Sequence, residues 1–305
     1  MPQTIVKQTQ TNSQRPSPFN RTESYLIIAI VYILAFLTAI LTYRYMPGGV
    51  WLRLLVADVA ATVFTFVGSL LFHNASVYDP YWSVQPPVIL SCLIGPTLTL
   101  SEALLTVAVT LWALRLTANW AYTFHGLSHQ DWRYTMLKEQ TGAMYPLINF
   151  LGIHMVPTLV VYACTLPAVY VAQADAAFHP LSLLGLLLCL GAVTLQAVAD
   201  TQMQGYRKHR ATPFIRQGLW KHARHPNYLG EILMWWGVAA YAVATLGFAW
   251  YLVLGAALNT CLFVFVSIPM AERRQARKAG FAEYRAQTRV LLPIPKRPTD
   301  VKETH

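Results

Sequence analysis

Apolar stretches near the ~20 residues that a helix needs to cross a bilayer recur along this chain, and no other feature restricts its fold as much. They fall at about 25–43, 51–72, 77–95, 99–123, 146–171, 180–204, 229–246 and 249–268. Hydrophobic residues make up 55% of the sequence and charged residues 12%, about half the charge of ordinary soluble domains. The expectation is an all-α integral membrane protein with about eight transmembrane helices. Its divisions are a polar tail over 1–24, a single transmembrane domain over 25–270, and a basic C-terminal helix and tail over 271–305. The third stretch is the weakest, because Asp79 and three prolines interrupt it and leave it bent or only partly inserted. Residues 1–24 are polar, and the run after them is long enough to span, so no secretory signal peptide is expected.

Orientation follows from where the cations lie. The formal net charge is +10, and Lys and Arg gather in a few connecting segments: Lys7 to Arg21, Arg115 to Lys138, Arg207 to Arg224, and Arg273 to Lys302. Only Arg44 and Arg53 fall on the other side of an eight-span arrangement. The positive-inside rule then predicts that both termini are cytoplasmic. Whether the host is a bacterial inner membrane or the endoplasmic reticulum is not legible. Cys92, Cys164, Cys189 and Cys261 are scattered singly in apolar runs, so they are expected to be small hydrophobes, with no metal site and no disulfide framework.

Four stretches are candidates for a polar site, the first being the segment from Arg115 to Lys138, where charged and aromatic residues are mixed. In the sixth span Gln196, Asp200, Gln204 and Arg207 recur at helical spacing and share one face. A carboxylate there needs a partner or a cavity. In "RHPNYLGE" Pro226 opens a helix, Asn227 and Glu231 lie four apart on it, and Arg224 and His225 precede its N-terminus. Such a terminus with adjacent cations suits an anion. In "AERRQARKAGFAEYR" Arg273 and Arg277 lie four apart, as do Arg274 and Lys278. Two readings stay open: these cations meet anionic lipid headgroups, or they converge on a polyanionic nucleotide. Nucleic acid is not expected, because no recognition module accompanies the short loops. Asp79, ionisable within an apolar segment, is a functional candidate in its own right.

"GLWKHARHPNYLGEILMWWG", followed about 40 residues later by "ERRQARKAGFAEYRAQTRVLLPIP", resembles the C-terminal half of the steroid 5α-reductase superfamily. With "DWRY" at 131–134 the resemblance is closer to the branch catalogued as DUF1295, over about 75–295. Isoprenylcysteine carboxyl methyltransferases share the Arg-His-Pro-x-Tyr frame. The resemblance implies an NADPH-dependent reductase of an activated carbon–carbon double bond in a lipophilic steroid, isoprenoid or fatty enone. It further implies that Asn227 and Glu231 bind nicotinamide or ribose, that Asp200, Arg207 and Gln196 hold the cofactor, and that Arg115 binds phosphate. Arg224, His225, Tyr228, Arg273, Arg277 and Tyr284 complete the implied cofactor set.

For catalysis the resemblance implies Asp79 and, where the reductases have a tyrosine, Trp112. An indole N–H is too weak an acid to replace a phenol, so Tyr78, Tyr81 and Tyr134 are further candidates for the phenol, with Tyr134 placed in the catalytic set. One alternative is a membrane methyltransferase using S-adenosylmethionine; another is a non-catalytic lipid-binding protein. Expected partners are a lipophilic small molecule and membrane lipid. Oligomeric state is not legible.

Overall fold

The structure, a computed structural model, describes residues 19–95 and 98–294, which are helical with no strand among the described residues. Lys7 and Arg15, and the basic residues beyond Arg289, lie outside them. Seven segments are long and apolar enough to cross a membrane: α1 (Arg21–Tyr45), α2 (Val50–Leu71), α4 (Leu100–Thr123), the run Trp132–Gln173, α8 (Ser182–His209), α9 (Pro226–Leu246) and the run Trp250–Gln275. The protein is a multi-pass integral membrane protein. The run Trp132–Gln173 comprises α5 (Trp132–Thr141), α6 (Tyr145–Ile148) and α7 (Val156–Gln173), joined through a π-helical stretch. The run Trp250–Gln275 joins α10 (Trp250–Leu262) to α11 (Ile268–Gln275) in the same way, and α12 (Phe281–Gln287) follows.

The third expected span is where sequence and structure differ. It contains α3 (Tyr81–Ser91), a helix of 11 residues, about half of what a span requires. Pro80 stands at its N-terminus and Pro86 and Pro87 lie inside it. Ahead of α3 a 3₁₀ turn over Ala75–Tyr78 consumes the rest of the apolar run. The backbone broken there is not left dry. Asn74 caps the turn by accepting from the Ser76 N–H, and its own amide donates to the carbonyls of Leu127 and His129 at 2.8 and 3.1 Å. Irregular backbone at this depth is tolerated because protein partners satisfy it.

Local signals account for the other helices. Asn20 and Glu23 form a reciprocal capping box that starts α1. α1 then exposes Leu26, Ile30, Ile33, Leu37 and Leu41, which is what a peripheral helix facing lipid requires. Gly255 lets α10 lie against α7: a Cβ there would meet the Ala163 carbonyl carbon at 2.3 Å. Small residues allow such close approach where no hydrophobic drive separates protein from lipid.

Contacts between helix termini sort them into two ends. At one end the Arg21 guanidinium donates to the Ala121 carbonyl at 3.2 Å, Asn74 reaches Leu127, and Arg224 meets Glu272. At the other, Arg53 donates to the Tyr43 carbonyl, Ser101 meets Tyr241, and Ser182 meets Thr245. The basic segments between Arg207 and Arg289 lie at the first end.

Gly255→Ala is expected to lower stability by about 1–3 kcal/mol through overpacking, read by unfolding in detergent. Gly191→Ala, where an added Cβ meets nothing within 4 Å, is expected to leave stability unchanged or slightly raised.

Candidate functional site

Three helices meet at one carboxylate. Glu231 on α9 is buried, 6% exposed. One of its oxygens accepts from the Trp112 indole at 3.0 Å and from the Gln196 amide at 2.9 Å, and the other accepts from the Trp235 indole at 3.0 Å. Helical spacing assembles this cluster: Trp112 and Arg115 lie three apart on α4, Gln196 and Asp200 four apart on α8, and Glu231 and Trp235 four apart on α9. Arg115 completes it, bonding Asp200 at 2.9 Å and the Gln196 carbonyl oxygen, with Glu231 3.9 Å away. Gly230 makes room, since a Cβ there would meet Gln196 Cγ at 2.4 Å. A carboxylate at this depth persists because each oxygen has a donor and a guanidinium is near.

Above this cluster, at the basic end, lies a cavity of about 960 Å³, at the upper end of ordinary small-molecule sites. Its cationic wall is Arg133, Arg207, Arg210, Arg274 and Lys278, and its acids are Asp79, Asp131, Asp200 and Glu272. Trp82, Trp120, Trp132, Tyr206 and Phe214 supply flat aromatic surface. Arg274 stacks over Trp132 at 4.3 Å. Asp79 accepts from the Tyr134 hydroxyl at 2.6 Å. Burial and the neighbouring cations Arg274 and Arg210 hold the Lys278 ammonium below a lysine's ordinary 10.5. Burial pushes the Asp131 carboxyl up, but the Arg133 guanidinium more than offsets it, so this acid sits below its usual range. Burial also pushes the Tyr284 phenol up to about 12, and its hydroxyl donates to the Trp220 carbonyl.

The cavity sorts the residues singled out from sequence. Asp79, Asp200, Arg207, Arg224, His225, Asn227, Tyr228 and Tyr284 line it. Glu231, Gln196 and Arg115 are not among its lining residues; they form the cluster behind, where Arg115 meets carboxylates and an amide. Trp112 is fully buried with its N–H committed to Glu231, so it does not stand where a substrate carbonyl could be polarised. Tyr134 is not among the lining residues and is linked to the cavity by its hydrogen bond to Asp79. The ion pair of Asp200 is with Arg115 rather than Arg207.

Two expectations need correction. Arg224 and His225 do not present a vacant anion site ahead of α9. Both side chains bond Glu272, at 3.0 and 2.8 Å, and their backbone N–H groups donate to the carbonyls of Arg289 and Val290. They fasten the segment after α12 to the start of α9. Arg273 and Arg277 are exposed and absent from the lining, whereas Arg274 and Lys278, one residue on, face the cavity. Both pairs have the same spacing, and only packing decides which turns inward.

Arg133, Arg210 and Glu272 were not singled out in the sequence, and Arg274 and Lys278 were noted there only as part of a basic helix. Asn227 lines the cavity, and its Oδ1 is buried with no hydrogen-bond partner.

Glu231→Gln replaces one acceptor oxygen by an NH2 group that faces indole or amide donors. It is expected to cost about 1–3 kcal/mol and to lower the Tm in detergent by several degrees. Arg273→Ala and Arg277→Ala, both exposed, are expected to stay within about 0.5 kcal/mol of the parent.

Comparison with known proteins agrees with this architecture. The family model described as "Protein of unknown function (DUF1295)" matches residues 65–288. An uncharacterized protein of Schizosaccharomyces pombe is 28% identical over 199 residues, 55% of this chain and 57% of that protein. The chain therefore spans little more than half the length of that relative. No solved structure matches. The family match takes in α3, the Glu231 cluster and the cavity wall as far as α12, and on that extent the chain belongs to the DUF1295 family.

Proposed function

We propose that this protein is an NADPH-dependent membrane reductase of an activated carbon–carbon double bond in a lipophilic substrate. One observation carries the reading: a single cavity joins a cationic wall to a carboxyl held by a phenol. The wall residues Arg207, Arg210, Arg274 and Lys278 suit the phosphates of a dinucleotide, because guanidinium forks match phosphate oxygens. Burial depresses Lys278 first and the neighbouring Arg274 and Arg210 depress it further; an added anion offsets that cationic repulsion. The unpartnered Asn227 Oδ1 suits the N–H of a carboxamide, and the aromatic surfaces suit flat rings.

NADPH, when bound, supplies a hydride. The chain's own task is the other half of the reduction, which is to stabilise negative charge on the substrate oxygen and to deliver a proton. Asp79 lines the cavity and Tyr134 donates to its Oδ1. That bond fixes the carboxyl's direction and leaves it to meet a substrate carbonyl, so Asp79 is the catalytic acid and Tyr134 the positioning residue. Trp82 and Ser83, on the same side of α3, border the path toward the apolar interior. The grouping of Arg21, Asn74 and Arg224 at one end further supports eight crossings, with α3 and its leading turn as a thin third crossing. By the positive-inside rule that end is cytoplasmic.

Asp79→Asn is expected to leave NADPH binding within about threefold while lowering turnover of lipophilic enones by about 100-fold or more. Asn227→Ala and Arg274→Ala are expected to weaken NADPH binding about tenfold each, measured by quenching of the cavity tryptophans. Unchanged affinity in both would remove the cofactor assignment. NADPH affinity is also expected to fall as pH rises through the lowered pKa of Lys278, because only the ammonium attracts phosphate. Lys278→Gln should flatten that part of the profile.

A further inference from the structure

α3 has two faces, and only one borders the polar cavity. Asp79, Trp82 and Ser83 line that cavity, whereas Tyr81, Val84, Gln85 and Val88 line a second pocket of about 330 Å³ between α1, α2 and α3. The spacing of each set is that of one helical face. The second pocket is mostly apolar, walled by residues such as Ala35, Ala39, Leu54 and Ile89, with Asp58 and Arg44 as its charged members. Phe36 and Ile40 of α1 border it and are 43% and 40% exposed on the lipid side of the bundle. The pocket therefore opens toward lipid.

One polar group stands in this pocket without a partner. Asp58 on α2 has both oxygens engaged, accepting from the Tyr81 hydroxyl at 2.7 Å and from the Gln85 amide nitrogen at 2.5 Å. That contact uses the Gln85 nitrogen and leaves its carbonyl oxygen buried with no hydrogen-bond partner, on a side chain 5% exposed. In an apolar setting an unmet acceptor is costly and a bound donor removes the cost. The adjoining Asp58 carboxyl disfavours an anionic group at that depth, and Arg44, which lines the same pocket, disfavours a cationic one. The chemistry that fits is neutral, with one hydrogen to donate.

We propose that the pocket between α1, α2 and α3 is a second ligand site, which takes an uncharged hydroxylated lipid from the membrane and receives its hydroxyl at Gln85 Oε1. The helix α3 separates this ligand from the polar cavity, so the site does not depend on the reductase reading. Arg44 borders the pocket at the last turn of α1, and a fatty acid held there by its carboxylate is the competing occupant.

The test uses the full chain purified in detergent, with tritiated hexadecanol as probe and hexadecyl methyl ether and palmitate as competitors. The alcohol is expected to bind about tenfold more tightly than the ether, which keeps the chain and an acceptor but has no hydrogen to donate. Gln85→Leu is expected to abolish that preference, Ala39→Phe to block both ligands by filling the pocket, and Asn227→Ala in the polar cavity to change neither. Equal binding of alcohol and ether by the parent protein would overturn the proposal without reliance on any variant. So would palmitate binding more tightly than the alcohol and losing affinity in Arg44→Ala, or loss of hexadecanol binding in Asn227→Ala.

Discussion

The Glu231 carboxylate is the constraint from which the rest of the site is built. An acid this deep in a membrane protein is tolerated only if fully hydrogen-bonded. Here the donors come from three helices: Trp112 on α4, Gln196 on α8, and Trp235 on Glu231's own helix, α9. Satisfying one side chain therefore sets the mutual position of α4, α8 and α9. Arg115, drawn in by Glu231 and Asp200, ties the same helices together nearer the basic end. The cavity floor is a consequence of that arrangement, which is why residues absent from its lining still govern its shape.

The cavity wall is closed by a second fastening. Glu272 on α11 collects Arg224 and His225, while the carbonyls of Arg289 and Val290 take their backbone N–H groups. Three segments distant in sequence thus become one rim, and Arg274 and Lys278, beside Glu272 on the same stretch, line the cavity. On the opposite side α3, too short to span alone, is held by the Asn74 bonds and by Asp79 and Tyr134. Its two faces serve different environments, one polar and one apolar.

How much of this was legible in the sequence depended on whether the deciding contact was local. Span positions were legible because length and hydrophobicity are local properties. The weakness of the third span was legible in its prolines, although its contraction to 11 residues was not, because the 3₁₀ turn depends on Asn74 reaching Leu127. The stripe Gln196, Asp200, Gln204 is a face of α8, as its spacing required. The spacing could not reveal that Gln196 and Asp200 meet Arg115 and Glu231, or that Asp200 and Gln204 also line the cavity. Trp112, where the resemblance to the reductases implies a tyrosine, acquires a reason only in three dimensions: its N–H completes the shell of Glu231. Between Arg273 with Arg277 and Arg274 with Lys278, periodicity is indifferent. Asp58 is a different case. A lone acid inside an apolar run is itself a signal, yet Asp58 was not among the residues singled out from the sequence.

The central claim is that the cavity at the basic end holds NADPH. Its most direct test is calorimetric titration of the detergent-purified chain with NADPH, NADH and S-adenosylmethionine under identical conditions. The account predicts saturable binding of NADPH, weaker binding of NADH for want of the 2′-phosphate that the Arg and Lys wall would receive, and none of S-adenosylmethionine. Selective binding of S-adenosylmethionine, or of none of the three, would contradict it.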